Sequence, residues 1–243
     1  LNKCVATKGE EVKMPFKKGD FLLIDYVAEV KETGKIFDTT MGDIAKKEKL
    51  EAQEAYEPKL VVVGEGWILK ALDESLTKLS LKKPETVEIS PAEAFGPRNP
   101  EKVKMISLRR LREKGITPRP GMQVEYDRKL ATVRAVGGGR VQLDFNPPLA
   151  GKTLVYNVTA VKKLRTRAER FKALIHRRIP AVEVVKFTIQ PAKTSVSIEL
   201  PEEAFYIEGI QLAKRGIAED IRKTIPRISK VEFIENYTFG AKE

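Results

Sequence analysis

From Asp20 to Val30 the chain alternates, with Leu22, Ile24, Tyr26, Ala28 and Val30 on one face. A two-residue period sends successive side chains to opposite faces of a strand, so this stretch must lay one face on a core. Tyr26 belongs to the inward set. Lys31-Glu32-Thr33-Gly34 reads as the turn that follows. The charged, Ala-rich run from Met41 to Glu57 reads as a helical excursion from a sheet, and Lys59 to Val63 as a short strand. Leu69, Leu72, Leu76 and Leu79 recur at helical spacing, which predicts one helix with a single apolar face. Val87 and Ile89 alternate within Pro84 to Ser90, and Pro91 and Pro97 bracket a loop holding Ala94-Phe95-Gly96. Strand and helix patterns of this kind read as an α+β fold.

The pattern changes twice further on. Residues 98–143 crowd Arg109, Arg110, Arg112, Lys114 and Arg119 ahead of β-like pieces at Met122 to Tyr126, Leu130 to Val136 and Arg140 to Phe145. Gly137-Gly138-Gly139 between the last two predicts a hairpin turn, since two consecutive left-handed residues suit glycine. It is not a phosphate loop, because no Lys-Ser/Thr helix start follows. Leu154 to Val161 reads as a returning strand. Beyond it, Leu164, Ala168, Phe171, Ile175 and Ile179 keep helical spacing. Two alternating runs follow (Val185, Phe187, Ile189 and Val196, Ile198, Leu200), then a helix stripe at Ile210, Ala213, Ile217 and Ile221, then a strand from Val231. That is an α-β-β-α-β module of about 80 residues, an ordinary domain size.

Composition removes several classes of function. The single cysteine, Cys4, excludes an internal disulfide framework and suits a reducing cytoplasm. One cysteine and one histidine, His176, far apart in sequence, make neither a usual zinc site nor a histidine triad, so no metal and no cofactor is expected. His176 reads as a surface residue. No apolar run is long enough to span a bilayer. Residues 1–14 lack the apolar core of a signal peptide and read as a disordered leader. A net charge of +11, from 45 basic against 34 acidic residues, favours acidic partners such as RNA or ribosomes.

Two segments point to a site. Ile36-Phe37-Asp38-Thr39 sets an aromatic beside a carboxylate at a turn end. Gly64-Glu65-Gly66-Trp67 opens the apolar stripe that continues through Ile68, Leu69 and Leu72. Neither supplies a nucleophile or a metal ligand set. Together they predict a greasy cleft with few polar groups, suited to a binding or conformational catalyst.

These segments, with Ile24-Asp25-Tyr26, Pro91-x-Glu93-Ala94-Phe95-Gly96 and Asp144-Phe145-Asn146-Pro147-Pro148-Leu149-Ala150-Gly151-Lys152, stand in the order and spacing of a known family. Residues 15–163 resemble the FK506-binding-protein (FKBP) family of peptidyl-prolyl isomerases, and within it the long archaeal type related to the bacterial SlyD chaperones. The resemblance implies an antiparallel half-barrel around one helix over 15–97 and 144–163. It implies a β-rich insert-in-flap chaperone domain at 98–143 and an extra C-terminal domain at 164–243, linked in the family to homodimerisation. The nickel-handling tail of SlyD proteins has no counterpart here.

Carried over onto matching positions, the resemblance implies a catalytic pocket of Tyr26, Phe37, Asp38, Ile68, Leu69, Leu72, Phe95 and Tyr156. Phe37 and Tyr156 would wall the proline ring. Ile68 and Leu69 would offer backbone groups to the substrate, and Asp38 would orient Tyr26 or meet the twisted carbonyl. Leu72 stands where the family's floor tryptophan is usual, which moves Trp67 to a rim open to clients. Phe95 replaces a common tyrosine, Ala71 a usual glycine, Lys83-Pro84 a turn glycine and Pro147 a usual histidine. The expected function is prolyl isomerisation with chaperone activity on unfolded or proline-containing polypeptides. Candidate client-binding residues are Met105, Ile106, Leu108, Leu111, Met122, Val136 and Leu143. Two alternatives compete. One is a holdase or assembly chaperone with weak or no isomerase activity. The other is a ribosome- or RNA-associated factor, resting on Arg109, Arg110, Arg112, Lys162, Lys163, Arg165, Arg167 and Arg170.

Overall fold

The computed structural model describes residues 16–50 and 55–238. The leader expected at 1–14, with Cys4, lies outside the described residues, as does part of the 41–57 excursion. The elements run β1 (Phe21–Val30), β2 (Lys35–Thr39), α1 (Gly42–Glu48), β3 (Lys59–Val62), α2 (Lys70–Leu76), β4 (Pro84–Ile89), β5 (Val103–Ser107), α3 (Leu108–Glu113), β6 (Gln123–Tyr126), β7 (Lys129–Gly137) and β8 (Arg140–Asp144). They continue with β9 (Leu154–Leu164), α4 (Arg167–Arg178), β10 (Thr188–Pro191), β11 (Ser195–Leu200), α5 (Glu202–Phe205), α6 (Ile210–Thr224) and β12 (Lys230–Glu235). The class is α+β. Both α1 and α2 are shorter than their sequence patterns. Lys49 enters the left-handed region and ends α1, whereas Leu79 is buried in the turn after α2 rather than on the helix.

The chain divides into two bodies. One comprises residues up to Ala28, Ile36–Val87 and Tyr156 onward; the other comprises Glu29–Lys35 and Glu88–Val155.

In the first body the sheet order is β2-β1-β9-β4, with β3 pairing antiparallel to β1. Burial along β1 follows the alternation, with Leu22, Ile24, Tyr26, Ala28 and Val30 all buried. The C-terminal module has the order β10-β11-β12, antiparallel and then parallel, and α6 forms most of the crossover into β12. A capping box starts α4: Thr166 Oγ1 accepts from the Glu169 amide at 3.2 Å, and Glu169 Oε2 accepts from the Thr166 amide at 3.1 Å. Both partners thereby satisfy donors that a helix start leaves orphaned. One continuous core joins Phe21, Leu60 and Val62 of β1 and β3 to Phe171, Leu174, Ile175, Ile198, Ile217 and Ile221 of the C-terminal module. The basic residues nearby are engaged. Lys163 bonds Asp20 at 2.5 Å and Lys162 bonds Glu169 at 2.7 Å, while Arg167 and Arg170 lie over Phe171 and Phe21. His176 Nε2 lies 2.5 Å from Glu57 Oε1.

The second body contains a four-stranded antiparallel sheet, β5-β8-β7-β6, with α3 against it. Gly138 and Gly139 have φ of 56° and 71°, so the β7–β8 hairpin uses two left-handed residues as expected. Its core holds Leu111, Val124, Tyr126, Val133, Val141 and Leu143. The base of this sheet is tied by Asp144, which is 1% exposed. Asp144 accepts from Arg98 at 2.7 Å, from Arg134 at 2.9 Å and from the Asn146 amide at 3.0 Å. Asn146 in turn exchanges hydrogen bonds with the Asn99 backbone at 2.9 Å each way. Burial raises the Asp144 pKa, but the Asn146 bonds and the two guanidinium groups outweigh it and hold the carboxyl at about 2.

The sign of that shift fixes an acid prediction. A depressed carboxylate pKa stabilises the fold above the ordinary aspartate value and loses that effect as pH falls through the folded value. Asp144 should therefore contribute about 2 kcal/mol at neutral pH, lost between about pH 4 and pH 2. Thermal melts of wild type and Asp144→Ala should differ clearly at pH 7 and converge toward pH 2. A gap that stays constant across that range would remove Asp144 from the acid response.

Candidate active site

Tyr26 is fixed first through its backbone. Its amide donates to Thr40 Oγ1 at 3.0 Å, and its carbonyl accepts from Thr39 Oγ1 at 2.9 Å and from the Thr40 amide at 3.1 Å. The two threonines that end β2 thus lock the strand at the residue that carries the ring. The Tyr26 hydroxyl donates to Asp38 Oδ2 at 2.7 Å. Tyr156, on β9, lies with its ring centroid 5.8 Å from that of Tyr26, tilted by 51°. Phe37 meets Tyr156 edge-on, with centroids 6.2 Å apart and planes at 84°. Both geometries are favourable for aromatic pairs.

Burial and charge keep this wall in one protonation state. Tyr26 and Tyr156 are buried, whereas Phe37 and Asp38 are half-exposed. Desolvation pushes the Tyr26 pKa far up, reinforced by its bond to Asp38 and by the Asp38 charge. Burial, and then the Asp38 charge, push Tyr156 up to about 12. Both phenols therefore stay protonated at neutral pH, and the wall carries no charge of its own. The result is an aromatic wall with one carboxylate at its edge.

The turn before α2 supplies backbone. Gly64 and Gly66 take φ of 85° and 67°, a left-handed conformation that glycine adopts without strain. Asp73, in the first turn of α2, reaches back so that Oδ1 accepts from the Gly64 amide at 2.9 Å and Oδ2 from the Gly66 amide at 3.0 Å. Sequence reasoning passed over Asp73. The signal was present: a Gly-x-Gly turn with a carboxylate seven residues on, able to satisfy the amides of both glycines. Ile68 and Leu69 follow half-buried, with Leu69 at the N-cap of α2, and Leu72 is buried within α2.

These contacts bring Tyr26, Phe37, Asp38 and Tyr156 together, and Ile68, Leu69 and Leu72 lie in the same body. Phe95 belongs to the second body and is exposed. Trp67 departs from expectation. It is not open at a rim but half-buried against the core shared with the C-terminal module, with the Arg177 guanidinium 3.9 Å over its ring. Among the seven candidate client-binding residues, Leu111 and Leu143 are fully buried and hold the insert's own core, so they offer no surface. Ile106 and Leu108 pack against that core, whereas Met105, Met122 and Val136 are exposed. Exposed Leu130, at the start of β7, had escaped the sequence reading. No group of three or more metal-ligating side chains occurs among the described residues.

Several known proteins are similar to this chain. A family model described as FKBP26, IF domain matches residues 104–149, and one described as FKBP26 C-terminal matches residues 167–238. A short-type peptidyl-prolyl cis-trans isomerase of Methanocaldococcus jannaschii is 32% identical over 143 residues, covering 58% of this chain and 90% of that protein. A probable FKBP-type 16 kDa peptidyl-prolyl cis-trans isomerase of Pseudomonas fluorescens is 30% identical over 109 residues, covering 43% of this chain and 71% of that protein. The FKBP-type isomerase SlyD of Helicobacter pylori is 29% identical over 168 residues, 67% of this chain and 76% of SlyD. Among solved structures, the three FKBP domains of wheat FKBP73 align at 13% identity with a TM-score of 0.33, over 66% of this chain and 44% of that one. The chain belongs to the FKBP-type peptidyl-prolyl cis-trans isomerases. Within them it has the insert-in-flap, SlyD-like architecture.

Proposed function

We propose that the protein accelerates proline-limited folding by isomerising X-Pro bonds against the wall of Tyr26, Phe37, Asp38 and Tyr156. Leu72 forms the floor, and Ile68 and Leu69 offer backbone groups, within an FKBP half-barrel built on residues 15–97 and 144–163. The observation that carries this reading is the buried, charge-neutral aromatic wall with a single carboxylate at its edge. Amide resonance sets a barrier of roughly 18–20 kcal/mol, which makes X-Pro rotation take tens to hundreds of seconds. The twisted amide has lost that resonance and is less polar than the planar one. A desolvated aromatic surface therefore favours the twisted form over the planar form, and differential binding of this kind lowers the barrier without a covalent step. Each tenfold gain requires only about 1.4 kcal/mol. The test is a proline-limited refolding assay with wild type, Phe37→Ala and Asp38→Ala. Wild-type acceleration by both variants would refute the site.

The insert at 98–143 is the client-holding domain in this reading. Met105, Met122, Leu130 and Val136 supply exposed apolar surface. A groove of about 750 Å³ in the same body is lined by Ile106, Tyr126 and Phe145, with four cations, Lys102, Lys104, Arg110 and Lys129, against two acids, Glu101 and Asp127. That combination suits extended chains with apolar and acidic residues. The lone cysteine suits a cytoplasmic setting, and no helix among the described residues is long and apolar enough to cross a membrane.

The C-terminal domain is the homodimer interface. Phe205, Tyr206 and Tyr237 form an aromatic group with centroid spacings of 5.0 and 6.5 Å, and Tyr206, Tyr237 and nearby Leu212 are exposed. Sedimentation at micromolar concentration should give a dimer, and Tyr206→Glu with Leu212→Glu a monomer. A wild-type monomer would end this assignment.

A further inference from the structure

The turn that leads into α2 is held at two points of different kind. Its first limb is fixed by hydrogen bonds: the Gly19 amide to the Val63 carbonyl at 2.8 Å, and the Gly64 and Gly66 amides to Asp73. Its second limb, Trp67-Ile68-Leu69, precedes the helix. The ring of Trp67 in this limb is covered by the Arg177 guanidinium at 3.9 Å, within reach of a strong cation–π stack.

Arg177 is itself held in place. Its Nη1 donates to Asp220 Oδ2 at 2.9 Å. Asp220, buried on α6, also takes two bonds from Arg178, at 2.8 Å from Nε and 3.0 Å from Nη2. The paired bonds fix the Arg178 guanidinium against Asp220, and Asp220 so held is the acceptor for the single Arg177 bond. Gly216 lies one turn before Asp220 on the same helix. A Cβ at that position would sit 3.0 Å from Cζ and Nε of Arg178. Glycine within a helix is unfavourable, and here it leaves the space through which Arg178 reaches Asp220. The chain from Gly216 through Arg178 and Asp220 to Arg177 ends on the limb that carries Ile68 and Leu69.

We propose that Arg177, set by Asp220, is a positioning residue for the isomerase: by clamping Trp67 it fixes the backbone of Ile68 and Leu69 where the substrate meets it. This rests on the assignment of Ile68 and Leu69 to the substrate-facing backbone. It gives the C-terminal module a part in catalysis distinct from assembly.

Trp67 is the only tryptophan in the chain, so its fluorescence reports on the clamp directly. The experiment compares full-length wild type, Arg177→Ala, Arg177→Lys, Phe37→Ala and Asp38→Ala. It measures kcat and KM on a proline-containing tetrapeptide, Trp67 emission and anisotropy, and the melting temperature. In Arg177→Ala, Asp220 keeps Arg178, so melting should stay close to wild type. Emission should move to the red and depolarise, and kcat/KM should fall about threefold to tenfold, mainly through KM. Arg177→Lys should recover only part of this, since an ammonium restores charge but not a flat stack. Wild-type kcat/KM in both Arg177 variants, with both pocket variants impaired, overturns the proposal and leaves the pocket assignment standing. Wild-type kcat/KM in Phe37→Ala and Asp38→Ala instead overturns the pocket assignment, and this proposal with it. Should Arg177→Ala not fold, Arg177→Lys and Arg177→Met decide, and wild-type kcat/KM in both overturns the proposal.

Discussion

Phe37→Ala should lower kcat/KM on a proline-containing peptide by about 30-fold to 100-fold and leave the fold intact. Phe37 is the half-exposed ring of the wall, edge-on to Tyr156, so it is the surface a proline ring would cover. Loss of about 100 Å² of apolar contact to the substrate corresponds to about 2.5 kcal/mol, and each 1.4 kcal/mol is about tenfold in rate. Stability should change little, because the side chain is not part of a fully buried core. Asp38→Ala acts by a different route. It leaves the buried Tyr26 hydroxyl without its acceptor, a cost of about 1–3 kcal/mol, and frees the ring to tilt. Its activity should fall about tenfold, with a measurable drop in melting temperature. If Phe37→Ala loses stability rather than activity, the ring is packing and not pocket.

The second large effect concerns the insert. Removing it should cut acceleration of a protein client by about 100-fold while tetrapeptide turnover stays within about twofold of wild type. A client tethered to the insert meets the pocket of the same chain intramolecularly, and such tethering is worth about 10²–10⁴ without any new contact at the pocket. The place of the cut matters. Excision of 98–143 alone would leave Asp144 without Arg98, without Arg134 and without the strands that bury it. Excision of 98–146 removes the acid with its partners, and a short glycine bridge from Pro97 to Pro147 suffices. In the intact chain the reciprocal bonds between Asn99 and Asn146 bring the two cut points close together. Equal loss on peptide and protein substrates would sink the tethering reading.

How much of this was legible depended on the physical range of each signal. The alternation in β1, the threefold-fourfold stripe in α4 and α6 and the two-glycine hairpin are local patterns, and the structure carries each of them. The strand Val103–Ser107 was not read, because this stretch is mostly exposed and its apolar residues do not alternate cleanly. The helix Leu108–Glu113 was not read either, since six residues with two leucines give less than two turns of periodicity. Leu111 and Leu143 looked like candidate client surface because composition alone cannot separate a small module's core from its exposed face. The positions of Asp73, Trp67 and Arg177 were hidden for another reason. Each acts on a partner that only the fold brings near, and Arg177 lies more than a hundred residues from the ring it covers.

The core that Phe21, Leu60 and Val62 share with the C-terminal module has a consequence for how the chain is made. These residues leave the ribosome early, yet Ile221 and Ile228, which complete their cover, come roughly 200 residues later. At about 5–20 residues per second, that is a wait of about 10–40 s with an apolar sheet face uncovered. Through that interval the protein is in the state of its own substrates, an unfinished chain with open hydrophobic surface. Earlier-made copies would be well placed to attend it.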